Sequence, residues 1–297
     1  MATIALPGST DVTQPATGRR AGKSRRAGRA GPVTYALLTL SALVSIFPLY
    51  WTLVAGSHSN AEIAATPPPF LPNASLFENF GRALDQAPIG LAIVNSVIVS
   101  GAITVGTVLF CTLAGFAFAK LQFRGRGLLL ALVVGTMMVP TQLAVIPLFM
   151  MIAELQWVNQ LQAVVLPTLV SAFGVFFMRQ YLVNALPTEL LEAGRVDGAS
   201  TFRIFWSIVL PVARPAMAVL AMLTFLTAWN EFFWPIIALT QQNPTVQVAL
   251  AGLGSGYVPQ RGVIMAGTLL GTLPVLIVFA VLGKQIVGGI MQGAVKG

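Results

Sequence analysis

Charge is what this chain has least of. Asp, Glu, Lys and Arg make up 9% of its 297 residues, against about a quarter in soluble proteins, which excludes an ordinary soluble domain. Histidine is represented by His58 alone, so no second ligand for a metal stands near it and a loop hydrogen bond is the expected role. With only nine acids in the whole chain, a membrane-embedded enzyme lacks the His/Asp/Glu or Ser/Lys constellation it would need. The single cysteine, Cys111, excludes an intrachain disulfide and a Cys-based metal cluster, and inside an apolar run it reads as packing. In place of polar groups the chain is 56% hydrophobic. It reads as a membrane protein.

The net charge of +8 does not point to nucleic acid, because the basic residues flank hydrophobic runs and orient helices there. Residues 1–31 read as a basic disordered tail: Arg19, Arg20, Lys23, Arg25, Arg26 and Arg29 stand against one acid. Within it, "TGRRAGKS" imitates a phosphate-binding loop but has Thr17 where that motif needs glycine, and no strand precedes it. No cofactor is expected on this chain.

A bilayer crossing takes about 20 apolar residues, and six segments qualify: Val33–Gly56, Leu91–Ala119, Leu128–Ile152, Leu161–Val183, Ile208–Ala228 and Gly262–Ile286. The first exceeds the ~7–15 residues of a signal-peptide core and is read as an uncleaved span. With the N-terminus in the cytoplasm, 15 of the 17 Lys/Arg fall on that side and only Arg82 and Arg261 lie outside. The expectation is an all-α polytopic fold with six spans and both termini cytoplasmic. Its divisions are the tail at 1–31, a first span with an external loop at 32–90, and a core at 91–297. In the loop, "TPPPFLPN" favours extended backbone. A second external segment, 240–262, is apolar enough to fold against the outer mouth.

Three of the nine acids sit together in residues 187–198, between spans four and five. "LPTELLEAGRVDGAS" predicts a short helix starting at Pro187 and Thr188, with Glu189 at its N-terminus and Gly198 as its stop. Ser200 then caps a second helix whose Ile204, Phe205 and Ile208 turn back toward the membrane. On the first helix Leu190, Ala193, Gly194 and Asp197 share a face, flanked by Glu192 and Arg195. Small side chains with flanking charges suit either a groove on a soluble partner or an amphipathic connection on the lipid surface.

"EAGRVDG" followed after nine residues by "IVLP" resembles the EAA loop of ABC importer permeases: Glu-Ala-Ala, three residues, Gly, nine residues, Ile-x-Leu-Pro. Glu192, Ala193, Gly198, Ile208, Leu210 and Pro211 match with spacing intact, and Gly194 departs from the pattern's second alanine. "WNEFFWP" (Trp229 to Pro235) and the closing "GAVKG" are similar to maltose-transporter-type permeases, and the resemblance covers residues 33–297. It implies a permease for di- or oligosaccharides, or for glycerol phosphate or a related polyol, in a bacterial or archaeal cytoplasmic membrane. It further implies a second permease in a heterodimer, an ABC ATPase dimer that uses ATP and Mg, and an external solute-binding protein. Glu192, Ala193, Gly194 and Gly198, with Arg195 and Asp197, would then seat in the ATPase, and this chain would do no bond chemistry.

For the substrate path the sequence offers Trp229, Asn230, Glu231 and Phe232. Glu231 is either a functional carboxylate at membrane depth or a group facing the outer mouth, with Trp229 and Trp234 as interfacial belt residues. Asn95 and Ser96 read as interhelical hydrogen-bonding groups or a polar pathway, and Met137, Met138, Met150 and Met151 as packing. An amino-acid permease shares the EAA loop. An ion-driven secondary transporter would show internal repeats and intramembrane ionisable groups, which are sparse here.

Overall fold

The computed structural model describes residues 31–294, with side chains to residue 280. The expectations for the basic tail, for the Lys284 and Lys296 side chains and for the end of the "GAVKG" run lie outside the described residues. All described elements are helical. In chain order they are α1 (Pro32–Gly56), α2 (Asn60–Ile63), α3 (Ser75–Gln86), α4 (Ile89–Lys120), α5 (Arg126–Thr136), α6 (Val145–Glu154) and α7 (Gln162–Val165). Next come α8 (Ala172–Ala185), α9 (Thr188–Val196), α10 (Thr201–Ile204), α11 (Leu210–Asn230), α12 (Phe233–Ala238), α13 (Val246–Leu253) and α14 (Arg261–Ala294). Contacts divide the chain into two units, Met1–Phe47 and Pro48–Gly297. The first, where described, is an exposed apolar helix, residues 32–47. The second holds the end of α1 and every later element.

Four of the six expected spans are single helices: Pro32–Gly56, Ile89–Lys120, Thr201–Asn230 and Arg261–Ala280. The other two are bent helix pairs, each long and apolar enough for one span when its halves are taken together. Leu128–Ile152 is not one rod but Arg126–Thr136 and Thr141–Glu154, bent by 92°. Pro140 lies at the break, where it lacks an N–H and pushes Val139 away from helical backbone. Leu161–Val183 is likewise Gln162–Thr168 and Ala172–Ala185, bent by 42°. Ser171, with extended backbone, restarts the helix by accepting a hydrogen bond from the Gly174 N–H at 3.1 Å. The methionines expected as packing on span three are exposed, Met138 by 87%. A bent segment with few neighbours turns them outward.

The central helix is α4, which packs on α8 and α11. Small residues set the approach: a Cβ on Gly115 would lie 2.8 Å from the Arg179 nitrogen, and one on Gly174 2.7 Å from Cys111 Sγ. Around Cys111, Phe116, Met178, Leu182 and Leu220 forms an apolar cluster that also takes in Leu191 of α9 and Ile204 of α10. Cys111 is thus packing, as expected.

The two connections expected outside the membrane are both structured. In the first, a Ser59–Glu62 capping box starts α2, and the Ser59 backbone N–H holds the Glu62 carboxyl below its ordinary range. His58 is buried, its Nδ1 2.8 Å from the Val54 carbonyl oxygen, so the loop hydrogen-bond reading holds. In the second, α13 buries Val246, Val248, Ala249 and Leu253. Asn95 and Ser96 fasten it: Asn95 Nδ2 donates to Asn243 Oδ1 (2.8 Å) and to the Pro244 carbonyl (2.9 Å), and Ser96 Oγ accepts from the Val246 N–H (2.8 Å). These polar groups bind a connection to a helix, the interhelical hydrogen-bonding role expected of them. Asn95→Ala should strand buried acceptors and lower stability by about 1–3 kcal/mol, read as a drop in the thermal unfolding midpoint of the purified protein.

Candidate functional site

Pro187 takes φ −62°, ψ 142°, and the helix α9 begins at the next residue, as expected. Glu189 lies in its first turn and Arg195 in its last, each matching the sign of the helix dipole there. Gly198 ends the turn at φ +76°, a conformation that disfavours any residue with a Cβ. It brings the Ala199 N–H to the Gly194 carbonyl at 2.9 Å. Two residues on, Ser200 caps α10 by accepting from the Arg203 N–H at 3.3 Å.

Beyond this cap the chain departs from the expected helix-then-span arrangement. α10 does not stop, but passes through a wide turn at Phe205–Val209 directly into α11. There the Leu210 N–H reaches back five residues to the Phe205 carbonyl, the hallmark of a π-turn. Pro211, which has no N–H to give, sits just beyond this widened turn. Thr201–Asn230 is therefore one helix of 30 residues, about 45 Å at ~1.5 Å per residue.

The expected small-residue face of α9 divides in two. Leu191 and Gly194 are buried, while Leu190, Glu192, Ala193, Arg195, Val196, Asp197 and Gly198 are exposed. Gly194 points inward: a Cβ there would meet Ile208 Cδ1 at 3.2 Å and Ile204 Cγ1 at 3.4 Å. It belongs to the seam that holds α9 on the long helix, and the half-buried Ile208 and Leu210 lie on the side of that same core cluster. The terminal methyl of Ile208 can give way by a few tenths of an ångström. Gly194→Ala should therefore be tolerated and should raise stability by up to about 1 kcal/mol through helix propensity, measured as an unchanged or raised unfolding midpoint.

At the far end of the long helix the four aromatic-run candidates separate. Trp229 is 2% exposed, stacked on Phe225 at 5.7 Å and packed with Ala92, Val246 and Ala249. Trp234 is also buried, its Nε1 donating to the Ala163 carbonyl at 3.0 Å. Neither ring is an interfacial belt residue, because each fills a gap between helices. Asn230 donates to the Leu226 carbonyl of its own helix, and Phe232 is exposed. Glu231 Oε1 accepts from the Phe233 and Trp234 N–H groups at 3.0 and 3.3 Å, satisfying the first donors of α12.

Glu231 also borders a cavity of about 370 Å³ between α4, the α7–α8 bend and α11, at the lower end of the ~300–1,000 Å³ usual for ligand pockets. Thr107, Thr168, Ser171, Thr224 and Thr227 place hydroxyl-bearing side chains in its wall, and Phe173 and Trp234 supply aromatic carbon. These hydroxyls are not among the residues that stand out in the sequence. Their signal was present in Thr224, Thr227 and Glu231, which recur at i, i+3 and i+7 and make a polar stripe on an apolar helix.

Residues 111–290 match the family model described as "Binding-protein-dependent transport system inner membrane component". The chain is 35% identical to the lactose transport system permease protein LacG of Rhizobium radiobacter, across 89% of this chain and 96% of that one. It is 32% identical to the arabinooligosaccharides transport system permease protein AraQ of Halalkalibacterium halodurans, across 91% and 99%. It is also 32% identical to the sn-glycerol-3-phosphate transport system permease protein UgpE of Yersinia enterocolitica, across 87% and 95%. In fold it is similar to a chain in the crystal structure of a bacterial ABC transporter involved in the import of the acidic polysaccharide alginate. The TM-score is 0.73 at 24% identity, covering 85% of this chain and 94% of that chain.

Proposed function

The chain belongs to the binding-protein-dependent transport system inner membrane components, and from that premise we propose that it is a non-catalytic permease subunit of an ATP-driven importer for di- or oligosaccharides. It is a multi-pass membrane protein. In the proposed complex it pairs with a second permease, an ABC ATPase dimer and an external solute-binding protein. With the N-terminus in the cytoplasm, α9 faces the ATPase, and its exposed Glu192, Ala193, Arg195, Asp197 and Gly198 make the contact. ATP and Mg are used on that partner. The carbohydrate reading rests on the relatives named for lactose and for arabinooligosaccharides, beside one named for sn-glycerol-3-phosphate.

The observation that carries the coupling role is the unbroken helix Thr201–Asn230, which starts at the cap beside α9 and ends at Glu231 on the cavity. A packed helix moves as one body, so a displacement imposed at α9 reaches the cavity wall. Two packings of the spans, biased by nucleotide state and by the docked binding protein, then suffice for alternating access. The test is reconstitution of the complex in lipid. Binding protein loaded with a neutral sugar should stimulate ATP hydrolysis and sugar uptake several-fold. A verified assembly that shows neither would overturn the reading.

A further inference from the structure

The hydroxyl groups of the cavity are arranged with a definite polarity. A backbone carbonyl has no proton to give, so a hydroxyl bonded to one must be the donor. Thr227 Oγ1 donates to the Leu223 carbonyl at 2.9 Å, Thr168 Oγ1 to the Val164 and Val165 carbonyls at 3.0 Å, and Thr107 Oγ1 to the Thr168 carbonyl at 3.4 Å. The protons of these three are spent inside the protein, and what remains for a ligand is lone pairs.

Glu231 adds to the same polarity. One carboxylate oxygen is engaged in capping α12, and the other has no hydrogen-bond partner among the described residues. Ser171 Oγ accepts from the Gly174 N–H, and Thr224 makes no hydrogen bond among the described residues, so these two hydroxyls alone keep a proton to offer. Among the described residues, no Lys, Arg or His lines the cavity. The remainder is aliphatic, with Phe173 and Trp234 adding aromatic carbon.

We propose that this cavity is a binding site for a neutral, hydroxyl-rich sugar ring, and that Glu231 makes it discriminate against phosphorylated or otherwise anionic sugars. The proposal rests on the permease reading and names the class of solute within it. A sugar ring carries several O–H donors, which an acceptor-rich wall satisfies, and C–H faces that suit the aliphatic and aromatic carbon between them. A phosphoryl group carries only acceptors and negative charge at neutral pH. Placed here it loses its water, finds no cation and faces a carboxylate, and a buried anion without a partner is strongly disfavoured. The site therefore sorts solutes by the direction of their hydrogen bonds as well as by charge.

The test uses the assembled complex in nanodiscs without binding protein, so that the partner permease's groups are present and delivery plays no part. Binding of lactose and of sn-glycerol 3-phosphate is followed by saturation-transfer NMR for wild type, Glu231→Gln and Thr227→Val. Gln keeps a carbonyl to cap α12, and Val keeps the shape of Thr. Wild type should bind lactose at least tenfold more tightly than the phosphate. Glu231→Gln should narrow that gap several-fold, and Thr227→Val should weaken lactose several-fold while leaving the phosphate unaffected.

Equal binding of the two probes by wild type, no lactose signal at all, or a preference unchanged in both variants would overturn the proposal. Solute-stimulated ATP hydrolysis, measured on the same wild-type complex with its binding protein, judges the permease reading separately. Stimulation without the binding pattern removes the cavity site alone, and a binding pattern without stimulation removes the transport role while leaving the site.

Discussion

Gly198→Pro should abolish solute-stimulated ATP hydrolysis in the assembled complex, by at least tenfold, without preventing assembly. The residue stands at φ +76°, and proline is locked near −65°. Its N–H donates to the Arg195 carbonyl at 3.0 Å, a bond proline also cannot make. The turn must re-form in another shape, so α9 leaves its position over Ile204 and Ile208. A graded series isolates the cause. No atom lies within 4 Å of a Cβ built at this position, so Gly198→Ala meets only the left-handed backbone cost of about 1–2 kcal/mol and should lose part of the stimulation. Gly198→Asn, a residue that tolerates this conformation, should lose least. Stimulation unchanged in the proline variant of a verified complex would remove α9 from the coupling path.

Gly262→Ala should be the most damaging of the glycine-to-alanine changes among the described residues, for the opposite reason. Here the backbone is ordinary and the space is missing: a Cβ would stand 2.1 Å from the His58 carbonyl oxygen and 3.0 Å from Asn79 Nδ2. The first of these is main chain and cannot rotate away. The surroundings are also held, since Asn79 Nδ2 donates to the Gly56 carbonyl at 2.9 Å, while Asn60 donates to the Pro259 carbonyl at 2.9 Å and accepts from the Arg261 N–H at 2.7 Å. Overpacking of this kind costs typically about 1–3 kcal/mol and sometimes more. The variant should show a clearly lowered unfolding midpoint and reduced yield in the membrane. An unfolding midpoint equal to wild type would mean that the start of α14 is not anchored as described.

The helical membrane fold and the turn at Gly198 were legible because each depends on local chemistry: long apolar runs, and a glycine followed by a capping serine. The bends in spans three and four were not, although Pro140 stood in view. Proline inside a span either kinks a helix or ends it, and neighbours decide between them. That Gly194 packs against Ile204 and Ile208 was not legible, because a face of small residues looks the same whether it meets a partner or its own chain. For Trp229 and Trp234 the choice between a substrate path and an interfacial belt stayed open, and neither pointed to the packed interior, since amphipathic rings suit all three. In the aromatic run the large rings stand out, while Thr107, Thr168, Ser171, Thr224 and Thr227 come from two helices and the α7–α8 bend, which only the tertiary fold brings together.

The widened turn at Phe205–Val209 gives the long helix a phase as well as a length. Regular helix advances about 100° per residue, and the π-turn spends one residue more than a regular turn would. The azimuth at which Thr224, Thr227 and Glu231 meet the cavity is therefore set relative to Ile204 by a residue count. Removing one residue between 205 and 209 would let a regular turn take the place of the wide one and keep the downstream aim, whereas removing one between 210 and 223 would aim every later side chain about a quarter-turn away. Within this segment, the tally of positions is as much a part of the message as their identities.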